Sequence, residues 1–268
     1  MSVNQVPVII CLALSVAGCG GGGSATVNEP PVTFLDVADG GDLAVVAVEL
    51  TTNDASLDSS TGDFNAGDGS FSLVGQTGAV HNDRSAIDVD DGGRIALELE
   101  PNAFAGRFDV EVPGRSPSFG VVGIPTSAAS LPQSGQASFE GNSKLTAQDG
   151  QDLYELTGSA TVAVDFQSEL VTLSVTDMEG QIIPVFSQAS EVELPDQLVI
   201  ADMQLNGSAF GGGSASLTGG TFGLTARVQT DTSGQIYGPN EEDIGGIFVI
   251  DDTENGTVQI FGDFLAGQ

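Results

Sequence analysis

Apolar residues come in short runs, often at every second position, and clusters of Gly, Asp, Asn, Ser and Pro separate them. That rhythm predicts strands and turns rather than helices. It is clearest over 153–167, where Val162, Val164 and Phe166 share one face and Thr161, Ala163 and Asp165 the other, the period of two of a half-buried strand. Ser168-Glu169 predicts a tight hairpin connection into 170–176, with Val171, Leu173 and Val175 on its apolar face. A strand at 136–147 precedes this pair. After it, 178–195 reads as a longer excursion with Pro184 and Pro195. A strand at 198–205 follows, with Val199, Ala201, Met203 and Leu205 expected inward. Gly211-Gly212-Gly213 turns the chain into strands at 214–217 and 221–229. Asp231 to Gly234 reads as a turn, and strands at 235–237, 246–251 and 257–264 complete the set. Counting interrupted pieces once gives roughly eight strands, the number that closes a barrel whose interior side chains fill. Closure also removes exposed sheet edges.

The region before it is built alike. Strands are expected at 43–50, 70–75, 86–89, 94–100 and 108–112, with Ile95, Leu97 and Leu99 facing one way and Glu98 and Glu100 the other. The stretch 53–70, dense in Asp, Ser, Gly and Asn, reads as a long loop. Ser127 to Gly135, with Pro132, reads as a linker. No segment shows a three-turn amphipathic helix.

The first residues read as an address. Residues 6–16 are apolar and lead into Ala17-Gly18-Cys19. A membrane-crossing helix needs about 20 residues, so this stretch reads as the core of a secretory signal. Val16-Ala17-Gly18-Cys19 resembles the lipobox of bacterial lipoproteins. The resemblance implies removal of residues 1–18 and attachment of lipid to the Cys19 thiol, then palmitate-type acylation of the freed amine. Two or three acyl chains anchor stably where one holds marginally. No Lys or Arg precedes the apolar run, so either the start lies elsewhere or the α-amine suffices as the positive charge. An ordinary signal peptide with an incidental cysteine is the alternative. Gly20 stands where an inner-membrane retention signal shows Asp, which implies sorting to the outer membrane. Residues 19–33, Gly-rich and then Pro-rich, read as a flexible tether. Cys11 and Cys19 are the only cysteines, so the mature chain has no disulfide.

Charge narrows the partners. Across 268 residues, 37 acidic side chains face six basic ones, a formal net charge of −31. This disfavours nucleic acid and anionic membrane surfaces. It suits a solvated acidic surface in a saline habitat, cation binding, or a basic partner. Two acidic clusters are candidates for calcium: Asp54, Asp58, Asp63 and Asp68 in one stretch, and Asp88, Asp90 and Asp91 before Gly92-Gly93. Hard cations want several oxygens on a tightly turning backbone. The second cluster lacks a distal bidentate Glu, and solvated Asx turns are the competing reading. His81, the single histidine, is expected as an exposed loop residue. No Gly-x-Ser-x-Gly elbow, His-Glu-x-x-His motif or Cys/His cluster occurs, so an enzyme is not expected. No cofactor or metal is expected either.

One segment ties these readings together: Tyr237-Gly238-Pro239-Asn240-Glu241-Glu242-Asp243-Ile244-Gly245-Gly246-Ile247-Phe248. A strand meets a Gly-Pro break. Asn240, a good helix N-cap, precedes three acids, so one helical turn is expected. The Gly pair opens a strand with Phe248 and Ile250 on one face. With Phe139-Glu140-Gly141 and the terminal Phe261-Gly262, this segment resembles the signature of the transferrin-binding protein B family of lipid-anchored β-barrel proteins. The resemblance implies an all-β chain, with a β-rich handle-like domain at 34–128 and an antiparallel barrel at 129–268. A lipid-embedded barrel would need an apolar outer band. Here the outer faces carry Thr, Asp, Gln and Ser, so a soluble barrel is expected, joined to the membrane by its anchor alone.

By the same resemblance, the chain is expected at the cell surface on the outer membrane. There it would bind a ligand for uptake, whether a metal carrier, haem (with His81 as an axial ligand) or another solute, with an outer-membrane receptor or translocator as a further partner. One barrel is present rather than two lobes, so transferrin itself is not carried over. The alternatives are a structural or protective acidic envelope lipoprotein without a specific ligand, and a calcium-dependent adhesion module on the Asp-rich loops.

Overall fold

The computed structural model describes strands between residues 44 and 99 by their backbone, and residues 104–111, 118–184, 188–225, 228–252 and 256–268. Val32–Gln268 forms one compact unit. Its strands before the barrel are β1 (Ala44–Glu49), β2 (Ala55–Asp58), β3 (Asp63–Ala66), β4 (Gly69–Ser72), β5 (Val80–His81), β6 (Arg84–Asp88), β7 (Arg94–Leu99), β8 (Ala105–Glu111) and β9 (Ser118–Gly123). Six form an antiparallel sheet in the order β1-β9-β8-β7-β6-β5. The pairing of β1 with β9, from Ala44 opposite Gly123 to Glu49 opposite Ser118, joins the two ends of this region.

The expected loop at 53–70 is instead a small sheet, β2-β3-β4. Its register sets Leu57 opposite Phe64 and Phe64 opposite Phe71. Strands of four residues leave turn chemistry dominant in the composition, which is why the stretch has the polarity of a loop. His81 lies not in a loop but in β5, opposite Arg84 of β6.

The barrel strands are β10 (Gln136–Asp149), β11 (Asp152–Asp165), β12 (Leu170–Pro184), β13 (Ser190–Leu194), β14 (Gln197–Asn206), β15 (Ala209–Gly211), β16 (Ser214–Thr218), β17 (Gln229–Tyr237), β18 (Asp243–Asp251) and β19 (Val258–Gly267). The sheet runs β13-β12-β11-β10-β19-β18-β17-β15-β14-β16, and the additional pairing of β12 with β14 closes it. With β15 and β16 taken as one strand broken at Gly212-Gly213, and β13 and β14 as one line along β12, the ring has eight strands, all antiparallel, as expected.

Two bulges bend the sheet into the ring. Opposite Gly158, β12 carries two residues, Asp177 (φ +51°) and Met178. In β14, Asp202 (φ +59°) is the extra residue between the pairs Leu173–Ile200 and Val171–Met203. An extra residue switches which face the following side chains occupy. Leu198 and Ile200 therefore point inward before the bulge and Met203 after it, where unbroken alternation put Val199 and Ala201 inside.

The expected excursion at 178–195 is the far half of β12 with β13 returning beside it. No strand occupies 221–225, and β17 begins only at Gln229. The expected turn at Asp231 to Gly234 lies within β17. Gly234 sits opposite Phe210, and a Cβ there would stand 2.8 Å from the Phe210 Cε1. The glycine makes room for a ring, not for a turn. The stretch 127–135 is tied down: Leu131 joins the barrel core and Gly135 O accepts the Phe166 N–H at 3.0 Å.

Inward side chains fill the ring. Phe139, Leu173, Met203, Phe248, Ile250 and Phe264 are all fully buried, each contributing about 1.5–3 kcal/mol by leaving water. Outward positions of β11 are Glu155, Thr157, Ser159, Thr161 and Ala163, all exposed. That is a face for water, not for lipid tails.

Candidate functional site

The segment from Tyr237 to Phe248 forms a joint. No helix follows the Gly-Pro break. Gly238 (φ +88°) and Glu241 (φ +57°) take left-handed conformations that a helical turn excludes. Asn240 caps nothing: its backbone N–H and its Nδ2 donate to the two Glu242 carboxylate oxygens, each at 2.9 Å.

Around this corner the barrel grips the preceding sheet. The Gly238 N–H donates to Ile124 O at 2.8 Å, and Thr126 Oγ1 donates to Gly238 O at 2.6 Å. The Asp243 carboxylate accepts the Phe104 N–H at 2.6 Å. Burial raises the Asp243 pKa, while the N–H groups of Phe104 and Ala105 pull it down. Tyr237 is fully buried in a cluster with Phe104, Ala105 and Val121. Its hydroxyl has no hydrogen-bond partner, and burial pushes its pKa well up.

A second contact ties β8 to β10 and β19. The Arg107 guanidinium pairs with Asp263 and also donates to Asn142 O. Ser143 Oγ donates to Asp263 O at 2.6 Å. The ion pair is buried, with both side chains 5% exposed. Burial raises the Asp263 pKa, and Arg107 opposes the rise. Beside the pair, the rings of Phe119 and Phe261 lie 6.1 Å apart. Scarcity was the signal available for Arg107, one of six basic residues. Its partner could not be read, because Asp263 is one of many acids.

Outside the barrel, next to this contact, is a cleft of about 480 Å³ that includes Phe119, Phe261, Lys144, Glu155 and Glu179. It continues into a second, of about 680 Å³, bordered by Glu179, Glu191 and Glu193. The register explains the pattern. Asp263, Lys144, Thr157, Glu179 and Glu193 stand successively opposite one another across five strands. Phe261, Thr146, Glu155, Gln181 and Glu191 form the adjacent row. Toward β13 the rows end on acids, Glu179 and Glu193 in one and Glu191 in the other.

Of the residues singled out for calcium or haem, those that are described are placed on separate strands. Asp58 and Asp63 face each other across β2 and β3, Asp88 ends β6, and His81 lies in β5. Asp54, Asp68, Asp90, Asp91 and Cys19 lie outside the described residues. Among the described residues, no group of three or more His, Cys, Asp or Glu side chains is arranged to hold a metal.

The profile of the C-lobe and N-lobe β-barrels of transferrin-binding protein B matches residues 131–268. The chain belongs to the transferrin-binding protein B barrel family. Solved structures agree in fold. A double mutant of transferrin-binding protein B from Haemophilus parasuis is 15% identical over 84% of this chain and 44% of its own, with a TM-score of 0.59. The protein from serogroup B Neisseria meningitidis is 14% identical over 84% of this chain and 43% of its own, with a TM-score of 0.54. The chain thus spans less than half of either relative. No curated protein matches it. The expectation that the chain is not an enzyme stands with the family, whose members are named as binding proteins.

Proposed function

We propose that the mature chain is a lipid-anchored protein of the outer-membrane surface. It binds a protein ligand on the outside of its barrel and adjoining sheet, in the service of uptake. One observation carries the choice of ligand class: the barrel interior is packed with side chains such as Phe139, Phe248 and Phe264. An eight-stranded barrel filled in this way leaves no room for a solute. What remains is outer surface, where protein partners bind. The relatives named above are transferrin-binding proteins, which supports an iron-carrying protein as the ligand class. The identity of that protein is a separate matter, given the share of their length this chain spans.

The anchor in this reading is Cys19, followed by the 19–33 tether. The excess of acid, −31 in formal charge, favours a ligand with a basic surface. Cys19→Ala should abolish palmitate incorporation, and protease shaving of intact cells should remove the wild-type protein only. The purified protein should capture a discrete protein from host serum. If it captures none, while shaving confirms display, the envelope-lipoprotein alternative takes its place.

A further inference from the structure

Although the ring closes, one strand beside the closure has an edge without a strand partner among the described residues. β13 continues the line of β14 along β12, beyond the point where β16 stops. β16 ends at Thr218, opposite Gln197, and Gly219 (φ +126°) turns the chain aside. A Cβ at Gly219 would stand 2.8 Å from Pro195 O, so only glycine makes this turn here. Asp196, 2% exposed, holds the diverted chain: its Oδ1 accepts the Thr221 N–H at 3.1 Å. Phe222 then packs edge-on against Tyr154, with ring centroids 4.9 Å apart. The strand that would cover β13 is thus led away. Among the described residues, β13 pairs with β12 alone.

An edge strand leaves alternate backbone N–H and C=O groups open to another chain. Proline, lysine or a bulge commonly blocks such an edge, and Ser190-Glu191-Val192-Glu193-Leu194 contains none of them. Its guards are Glu191 and Glu193, both exposed. Glu193 stands opposite Glu179, and like charges placed so cost stability. A cationic neighbour would reverse that cost.

We propose that the free edge of β13 receives an extended basic segment of a partner protein, which adds a strand there. Lys or Arg at alternate positions of that segment lie beside Glu191 and Glu193, and apolar residues between them share the face of Val192 and Leu194. Main-chain pairing supplies affinity and the alternate side chains supply selectivity. This chain offers no such segment: Arg84, Arg94, Arg107, Arg115, Lys144 and Arg227 are widely separated. A second copy brings the same net charge of −31 and is repelled. The inference rests on the reading of the outer surface as protein-binding, and adds where a partner docks and what it must carry.

The test uses the full protein and a short labelled peptide of alternating Lys and Val, with binding followed by fluorescence anisotropy. Binding is expected, with slowed amide exchange at 190–194. The double variant Glu191→Lys/Glu193→Lys, altered only at exposed positions, should weaken binding at least about tenfold with a melting temperature no lower than that of the parent. Glu191→Gln/Glu193→Gln serves as a milder second variant. The same peptide N-methylated at alternate residues keeps its charge but cannot pair, and should bind at least about tenfold more weakly. Equal binding by the N-methylated peptide, or by both protein variants, overturns the proposal. Failure of the parent peptide to bind also overturns it, yet leaves the wider protein-binding reading standing, since serum capture tests that independently.

Discussion

The barrel and the sheet before it use the same strands and turns but finish their sheets differently. The barrel closes on itself through β12 and β14, and its core comes from its own strands, the 127–135 segment that leads into them and Phe222 of the stretch after β16. The six-stranded sheet has two ends, and the part of its packing that is described is completed from outside. Phe104, Ala105 and Val121 bury Tyr237 of β17 and pack against Leu265 of β19. A closed ring can stabilise itself, whereas this sheet borrows its last core residues. The Tyr-Gly-Pro segment that marks the family is where the loan is made. Its residues serve a joint, so the sequence signature is a mark of architecture rather than of a binding site.

That contrast predicts different responses to damage. Phe248→Ala empties the middle of a core that nothing else can refill, and should cost about 4 kcal/mol by the usual range for buried aromatics, read from urea unfolding. Loss should fall on the whole chain, because the sheet leans on the barrel. Arg107→Leu should cost about 3 kcal/mol, since removing one partner leaves a buried charge uncompensated. Here the sheet should melt before the barrel, splitting one transition into two. A pH dependence follows. Burial already holds the Asp263 carboxyl above its ordinary value against the pull of Arg107. A carboxyl whose folded pKa exceeds its unfolded one binds protons more readily when folded. Its ionisation therefore removes stability as pH rises from the ordinary carboxylate value through the folded one. Without Arg107 that folded value climbs further, so the deficit of Arg107→Leu should be largest at neutral pH and shrink on acidification. A deficit constant from pH 7 to pH 5 would mean the carboxylate finds another partner.

Much of the barrel was legible because a period of two needs no tertiary knowledge: Val162, Val164, Val171, Leu173 and Val175 all point inward as their spacing says. Reading failed where the period is interrupted. Asp202 inserts one residue into β14 and reverses the faces of Val199 and Ala201, and nothing in the local composition marks a bulge at an aspartate. Gly234 looked like a turn because its reason, the ring of Phe210, lies on another strand. The joint was half legible. The signature stands in the sequence, but its partners Phe104, Ile124 and Thr126 are more than 100 residues earlier, as the separations of 139 for Phe104–Asp243 and 112 for Thr126–Gly238 show. Long-range pairs between ordinary residue types leave no trace in one sequence.

Smaller substitutions at the joint sharpen the comparison. Gly238→Ala forces a Cβ into a left-handed position, φ +88°, with the Phe104 Cδ2 only 3.0 Å away. Strain of this kind costs about 2 kcal/mol. The smallest change is the most telling. Thr126→Val keeps the shape of a buried side chain and removes only the hydroxyl that donates to Gly238 O. The loss should be about 1 kcal/mol. The backbone bonds on either side, Thr126 N–H to Ile236 O and Gly238 N–H to Ile124 O, then lose their support. Amide exchange at Thr126 and Gly238 should quicken, while the Phe248 amide in the barrel core keeps its rate. Equal quickening at all three would show that joint and ring open together, and the distinction between a self-sufficient barrel and a dependent sheet would fail.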